Sequence, residues 1–214
     1  MIQQVAALSL TNDQTRPISP GGIALLPHQL VNLGNGPDSY QLCLENVGTD
    51  IATWRVFEDA NGDGVPDSQT PIFDQSDSDG CADVSTPSLP SGTAYDFVIE
   101  VAVPAGVPAG SRPTLDVRAT SDFDPSATVT NQDTLEVVEG PVIEVTKRIE
   151  PASGPSPSTA VRVTLSYRNT GLAAATALTV EDVLPTQTAS GASGGMTYVP
   201  GSARWSETGA TALR

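Results

Sequence analysis

The residues best suited to chemistry in this sequence lie in one short loop, residues 59–67. Its oxygen-bearing groups fall at alternate positions and comprise Asp59, Asn61, Asp63, the Val65 carbonyl and Asp67. Gly64 stands where such a loop needs a sharp turn. Loops with this spacing wrap one Ca²⁺ ion in roughly six to eight oxygen ligands. The spacing therefore predicts a calcium site.

The loop departs from the helix–loop–helix calcium motif at its twelfth position, where Thr70 replaces a bidentate glutamate. No helix is indicated on either side, so we expect the loop to lie between strands. The missing acid could come from the next acidic run, through Asp74, Asp77 or Asp79. Alternatively, the run from Asp77 could begin a second, poorer calcium site. The other interpretation is a solvated acidic loop, although carboxylates this dense repel one another without a cation.

Motifs for catalysis are not convincing, and we predict that the chain is not an enzyme. Residues 191–195 match the GxSxG string, but a nucleophile elbow needs a preceding strand, a following helix, and an Asp and a His later in the chain. The single histidine, His28, lies upstream. The alternative function is a calcium-stabilised carbohydrate-binding module of a larger secreted enzyme, with the exposed aromatic Trp205 as its sugar platform.

Composition limits the partners and the compartment. A formal net charge of −15 over 214 residues argues against nucleic acid or an anionic membrane as the partner. No apolar run approaches the roughly 18 residues of a membrane span, so we expect no direct membrane insertion. An extracellular compartment supplies millimolar calcium and also permits a disulfide between Cys43 and Cys81. Two free buried thiols are the alternative, because spacing does not prove connectivity.

Alternation of apolar and polar residues predicts an all-β chain of short antiparallel strands. Pro27 removes a ladder donor, which predicts an edge strand or a bulge there. Ala94 to Val103 is the clearest strand, and we expect it to form the spine of the first core. Seven or eight strands before residue 139 are spaced as in a two-sheet sandwich. The predicted inward residues are Leu26, His28, Leu30, Asn32, Tyr40, Leu42, Leu44, Trp54, Val56, Tyr95, Phe97, Ile99, Val101, Val103, Leu115, Val117 and Ala119.

The strand pattern restarts after Gly140-Pro141, which predicts two domains, residues 1–139 and 140–214. A shift of 137 positions aligns residues 26–34 with residues 163–171. His28 then corresponds to Leu165, so a satisfied core histidine is the favoured interpretation. Asn32 and Asn169 each precede a turn that an asparagine side chain can cap.

The second domain is shorter than one sandwich requires. It shows three strands and a fourth near Met196 to Val199, whereas a sandwich of this kind needs about seven. We therefore expect one of its sheets to be completed from outside this sequence. Either the polypeptide continues, or a neighbouring copy donates a strand, for which Val5 to Leu10 is the best candidate.

The stretch from Val142 to Gly201 resembles the repeat of long bacterial surface proteins known as domain of unknown function eleven. The motifs VTKRIEP, VTLSYRNTG, ALTVEDVLP and MTYVPGSA carry this resemblance, and Gly22 to Val138 is similar to the same repeat more loosely. The resemblance implies two tandem immunoglobulin-like sandwiches in rods, stalks, surface layers or filaments, with no catalytic residues. The calcium loop and the early end of the second domain depart from the pattern.

The resulting prediction is a structural or adhesive protein on the bacterial cell surface. It would act outside the cell, beside other copies of itself or neighbouring surface-protein domains. Its first sandwich would be stabilised by calcium and by a disulfide.

Overall fold

The computed structural model describes residues 3–11, 13–151, 154–155, 160–184 and 196–204. Within these ranges the chain forms strands and no helix, which confirms the predicted all-β class. Residues 191–195 and Trp205, singled out in the sequence, lie outside the described ranges.

Among the described residues, nine strands build the first part of the chain. They are β1 (Leu8–Leu10), β2 (Thr15–Ile18), β3 (Ile23–Asn32), β4 (Tyr40–Glu45), β5 (Thr53–Glu58), β6 (Phe73–Asp74), β7 (Ala94–Ala102), β8 (Thr114–Ser121) and β9 (Thr128–Val137). One sheet has the order β1-β3-β7-β5-β6 and the other has the order β2-β9-β8-β4.

The strand order is that of an immunoglobulin-like sandwich. In that fold strands A, B, E and D form one sheet, and strands C, F and G form the other. Here β1, β3, β7 and β5 occupy the first set, and β4, β8 and β9 occupy the second. The N-terminal segment joins both sheets, because β1 is antiparallel to β3 whereas β2 is parallel to β9. The connectivity of the strands is thus that of an immunoglobulin-like sandwich.

The core lies between the two sheets and follows the predicted alternation. Every second residue of β3 faces inward, and the strand β7 lies between β3 and β5 in the middle of its sheet. Leu26, Leu30, Tyr40, Val56, Phe97, Ile99, Val101, Leu115, Val117, Ala119 and Leu135 are completely inaccessible to solvent. Burying each of the larger aliphatic side chains contributes about 1.5–3 kcal/mol to the free energy of unfolding.

Proline positions required two corrections. The sequence from Pro17 to Gly22 predicts a break between strands, yet Pro17 lies within β2, an edge strand that tolerates a missing donor. Pro27 lies in β3, which has neighbours on both sides, rather than in an edge strand. However, β1 reaches only the end of β3, opposite Leu30–Asn32, and the Pro27 carbonyl accepts a hydrogen bond from the Gln14 side chain at 2.7 Å. At Pro27, therefore, β3 has no strand paired with it on the β1 side.

The outer edge of β4 is covered by the segment 80–86. Its backbone bonds include Leu44 N to the Gly80 carbonyl at 2.8 Å and Ala82 N to the Leu42 carbonyl at 2.9 Å. A disulfide between Cys43 and Cys81 fastens this segment to the strand. Covering an edge in this way keeps its unpaired backbone groups from recruiting another chain.

The chain divides into two compact units, Met1–Arg148 with Thr164–Thr176, and Ile149–Val163 with Ala177–Arg214. A two-stranded sheet of β10 (Ile143–Glu150) and β11 (Arg162–Asn169) contributes residues to both. The described residues after Asn169 contain no strand, including the predicted one near Met196 to Val199. The boundary between residues 139 and 140 stays a prediction.

The segment from Val5 to Leu10 was proposed as a donor to a neighbouring copy. In the structure it lies at the edge of its own sheet instead. Leu8–Leu10 pairs with β3, and the Val5 and Ala7 carbonyls accept hydrogen bonds from Asn35 and Leu33.

Candidate metal centre

The predicted calcium loop leaves the end of β5 with its first acid buried. Asp59 is 2% exposed, and its carboxylate accepts hydrogen bonds from the backbone N–H groups of Asp63 at 3.1 Å and Gly64 at 2.8 Å. Burial raises the pKa of Asp59, although the N–H groups of Gly64 and Asp63 oppose this shift. Gly62 and Gly64 have φ values of 67° and 79°, which side chains rarely adopt. The sequence therefore folds into a tight turn around the Asp59 carboxylate.

The other side chains of the loop also bond within it. The Asn61 amide group donates to Asp67 at 2.8 Å, and its oxygen accepts from the Asp63 N–H at 3.0 Å. The Asp63 carboxylate accepts from the Val65 N–H at 3.0 Å. These bonds preform the backbone turn. They do not gather the carboxylates, and among the described residues no three His, Cys, Asp or Glu side chains are grouped to hold a metal.

The second acidic run is separated from this loop by the length of β5. Asp74 pairs with Arg55, and the Gln75 N–H bonds to the Trp54 carbonyl, so the run continues beyond the start of β5. The first loop instead begins beyond Glu58, at the other end of the strand. The span from Trp54 to Glu58 is roughly 13 Å. The structure therefore does not bring Asp74, Asp77 and Asp79 together with Asp59.

The second run forms a turn of its own. Asp74 accepts hydrogen bonds from the Ser76 N–H at 2.7 Å and hydroxyl at 2.6 Å, and these bonds lower its pKa. Asp77 accepts from the Asp74 N–H at 2.8 Å, while Asp79 accepts from the Cys81 N–H at 3.1 Å. The run thus braces the turn that leads into the disulfide.

One acid beside the first loop was not identified from the sequence. This acid is Asp96 of β7. Its backbone carbonyl accepts from the Asp59 N–H at 3.1 Å, and its carboxylate would lie 3.8 Å from a Cβ placed on Gly62. Because Asp96 is 37 residues from Asp59 in the chain (96 − 59), only the pairing of β5 with β7 reveals that they are neighbours.

His28 is buried in the sandwich, as its core position predicts. It is 3% exposed, its Nε2 lies 2.8 Å from an Asp133 carboxylate oxygen, and its ring stacks on Phe97. His28 is thus a core histidine whose ring nitrogens have hydrogen-bond partners inside the sandwich. In the part of the chain that the structure describes, no helix is long and apolar enough to cross a membrane.

Comparisons with known proteins identify no family. No protein-family model matches the sequence, and no curated protein matches it either. Solved structures do match, among them a PapD-like domain of human CEP192, at 20% identity and a TM-score of 0.34 over 61% of this chain and 84% of that one. The major pilin subunit BcpA of Bacillus cereus matches at 10% identity and a TM-score of 0.34, over 79% of this chain and 56% of that one.

A third match is AggA, the major subunit of aggregative adherence fimbriae type I from Escherichia coli. It is 14% identical with a TM-score of 0.33, over 64% of this chain and 97% of that one. Enzymes are also among the matched structures. This chain spans little more than half the length of the BcpA chain.

Proposed function

We propose that this chain is a structural or adhesive protein of the bacterial cell surface, built on a calcium-stabilised immunoglobulin-like sandwich. The preformed turn around Asp59 carries the proposal, since it combines a buried carboxylate with the oxygen spacing of a calcium loop. The disulfide supports an oxidising, extracellular compartment. The resemblance of residues 142–201 to a repeat of bacterial surface proteins is the reason for proposing this setting.

Asp59, Asn61, Asp63, Asp67 and the Val65 carbonyl would hold the ion. Asp96 offers a further carboxylate in place of the missing twelfth ligand. Bound calcium would draw these acids together, neutralise their charge and join the loop to β7. The turn formed by Asp74, Asp77 and Asp79 is a second, weaker candidate site.

The protein would act by spacing and assembly and not by catalysis. Its partners would be other copies of itself or neighbouring surface-protein domains. A net charge of −15 makes nucleic acid and anionic membrane poor partners. The edge strand β4 is covered and the edge strand β1 is short, so neither offers a long free edge for pairing with a neighbouring chain.

Calcium dependence of the melting temperature tests the proposal. Because calcium binds only the folded state, a hundredfold excess over its Kd adds about 2.7 kcal/mol of stability. We expect a chelator to lower the melting temperature of the full chain, and Asp63→Ala to remove this dependence. Asp83→Ala is the matched control, because Asp83 is an exposed acid outside both loops.

Two results would overturn the calcium site. One is a melting curve that does not respond to calcium or chelator. The other is an Asp63→Ala variant that responds as fully as the control.

A further inference from the structure

The sheet β1-β3-β7-β5-β6 has apolar residues on its outer face, away from the core between the sheets, and these residues are nevertheless buried. Phe57 and Val98 face away from the sandwich, since their chain neighbours Val56 and Ile99 point into it. Even so, Phe57 is only 3% exposed and Val98 is fully buried. Pro27 lies next to Val98 on β3 and completes a row across three strands. Something other than the second sheet must cover this row.

The candidate calcium loop lies against the Pro27 end of this row. A Cβ on Gly62 would lie 3.8 Å from the Asp96 carboxylate, and a Cβ on Gly64 would lie 3.6 Å from the Pro27 side chain. The loop thus leaves β5, crosses β7 and reaches β3. It then returns to β5, where the Asp67 N–H bonds to the Glu58 carbonyl and the Ile72 N–H to the Val56 carbonyl. The loop thus has neighbours on all three strands that carry the row, and the Arg55 guanidinium lies over the Phe57 ring at 5.3 Å from its centroid.

We propose that residues 59–67 form a lid over the apolar row of Pro27, Phe57 and Val98, and that bound calcium keeps this lid closed. The calcium part rests on the proposed function. Loss of the ion leaves the loop acids to repel one another, opens the lid and exposes the row to solvent. Because packing and metal binding then stabilise the same closed state, each must strengthen the other.

This coupling is measurable in residues that are not calcium ligands. Val98→Ala removes packing under the lid and touches no ligand, so we expect it to weaken calcium binding by roughly five- to tenfold in calorimetric titration of the full chain. Val129→Ala is the matched control, because it makes the same change in a partly buried valine of the other sheet. It should leave calcium affinity unchanged.

A second measurement uses the unmodified protein. Chelation should increase both the fluorescence of an apolar-surface dye and hydrogen exchange in residues 59–72, while exchange in β8 stays unchanged. If calcium binds but Val98→Ala binds it as tightly as Val129→Ala does, the lid is refuted and the calcium site survives. If calcium binds and neither dye fluorescence nor loop exchange responds to chelation, the lid is likewise refuted. If the unmodified chain binds no calcium, calcium control of the lid and the proposed site fail together.

Discussion

His28 and Asp133 join the two sheets of the sandwich through a buried pair. The His28 Nε2 atom lies 2.8 Å from an Asp133 carboxylate oxygen, and both side chains are fully inaccessible to solvent. His28 belongs to β3 and Asp133 to β9, so the contact links opposite sheets. The Gln14 N–H donates to the other Asp133 oxygen at 3.3 Å, which ties in the crossover from β1 to β2.

Breaking this pair from one side should cost more than replacing it entirely. We expect His28→Leu or Asp133→Leu alone to lower the free energy of unfolding by about 3–5 kcal/mol, because each leaves a buried polar partner. The double variant should recover much of that loss, since two apolar side chains leave neither buried partner unpaired. Urea unfolding of all four proteins measures the cycle. Strictly additive losses would contradict the pairing.

Asn32 and Asn169 cap equivalent turns, 137 residues apart. The Asn32 side-chain oxygen accepts from the Gly34 N–H at 2.8 Å, and its amide donates to the Gly36 carbonyl at 3.0 Å. Asn169 makes the corresponding bonds to Gly171 N at 3.0 Å and the Ala173 carbonyl at 2.7 Å. The two turns thus share the same pattern of local hydrogen bonds.

Because of this cap, we expect substitution of Asn32 to lower the stability of the protein strongly. Asn32→Ala should lower the free energy of unfolding by about 2–3 kcal/mol, because it leaves the buried Gly34 N–H without a partner and removes one of the two hydrogen bonds to the Leu89 carbonyl. Asn35→Ala is the control, since Asn35 is exposed and water can replace its bonds. Equal losses in the two variants, measured by thermal unfolding, would show that the cap is not specific.

The disulfide predicts a response to reductant. Cys43 and Cys81 are 38 positions apart, and closing a loop of that length adds roughly 3–4 kcal/mol in the chain-entropy model. Reduction should lower the urea midpoint and increase hydrogen exchange in β4, because the covering segment loses its fastening. The Cys43→Ser/Cys81→Ser variant should match the reduced protein and ignore reductant. Unchanged hydrogen exchange in β4 after reduction would show that the disulfide does not protect this edge.

Tyr40 predicts a loss of stability at alkaline pH. Burial, and secondly the nearby Asp38, raise the pKa of Tyr40 to about 12. The unfolded chain releases this proton near pH 10, so stability is full below about pH 10 and falls as the pH rises towards 12. Tyr40→Phe should reduce that loss and cost little at pH 7, because the hydroxyl has no hydrogen-bond partner among the described residues. Chemical unfolding at pH 7 and pH 11 measures both effects, and a large loss at pH 7 would contradict the second.

Strand alternation was enough to predict the inner faces of the sandwich, because side chains alternate sides whatever the strand pairs with. It could not predict that Val98 is buried. This residue lies between Asp96 and Glu100 on the polar face, and the lid that we propose over it comes from a loop more than thirty residues earlier. Strand β2 was missed for a related reason, since its parallel partner β9 is remote in the chain.

For the candidate site too, local spacing predicted the turn but not the neighbours that strand pairing brings to it. The turn around Asp59 follows from local spacing, and the structure forms it with side chain to backbone bonds. The grouping of Asp74, Asp77 and Asp79 with that turn was inferred from closeness in sequence. The pairing of β6 with β5 reverses the chain and carries those acids to the opposite end of the strand. Asp96 reaches the loop only through the pairing of β5 with β7.

The parallel pairing of β2 with β9 determines how the first sandwich resists mechanical force. Thr15 to Ile18 lies beside Thr134 to Val137 in the same direction. A pull on the chain before Thr15 and after Val137 therefore slides the two strands along each other. Their hydrogen bonds are loaded together in shear, instead of breaking one by one as in an unzipped hairpin. A rod stretched along its chain would hold at these two strands, and its lifetime under load would follow their rate of separation.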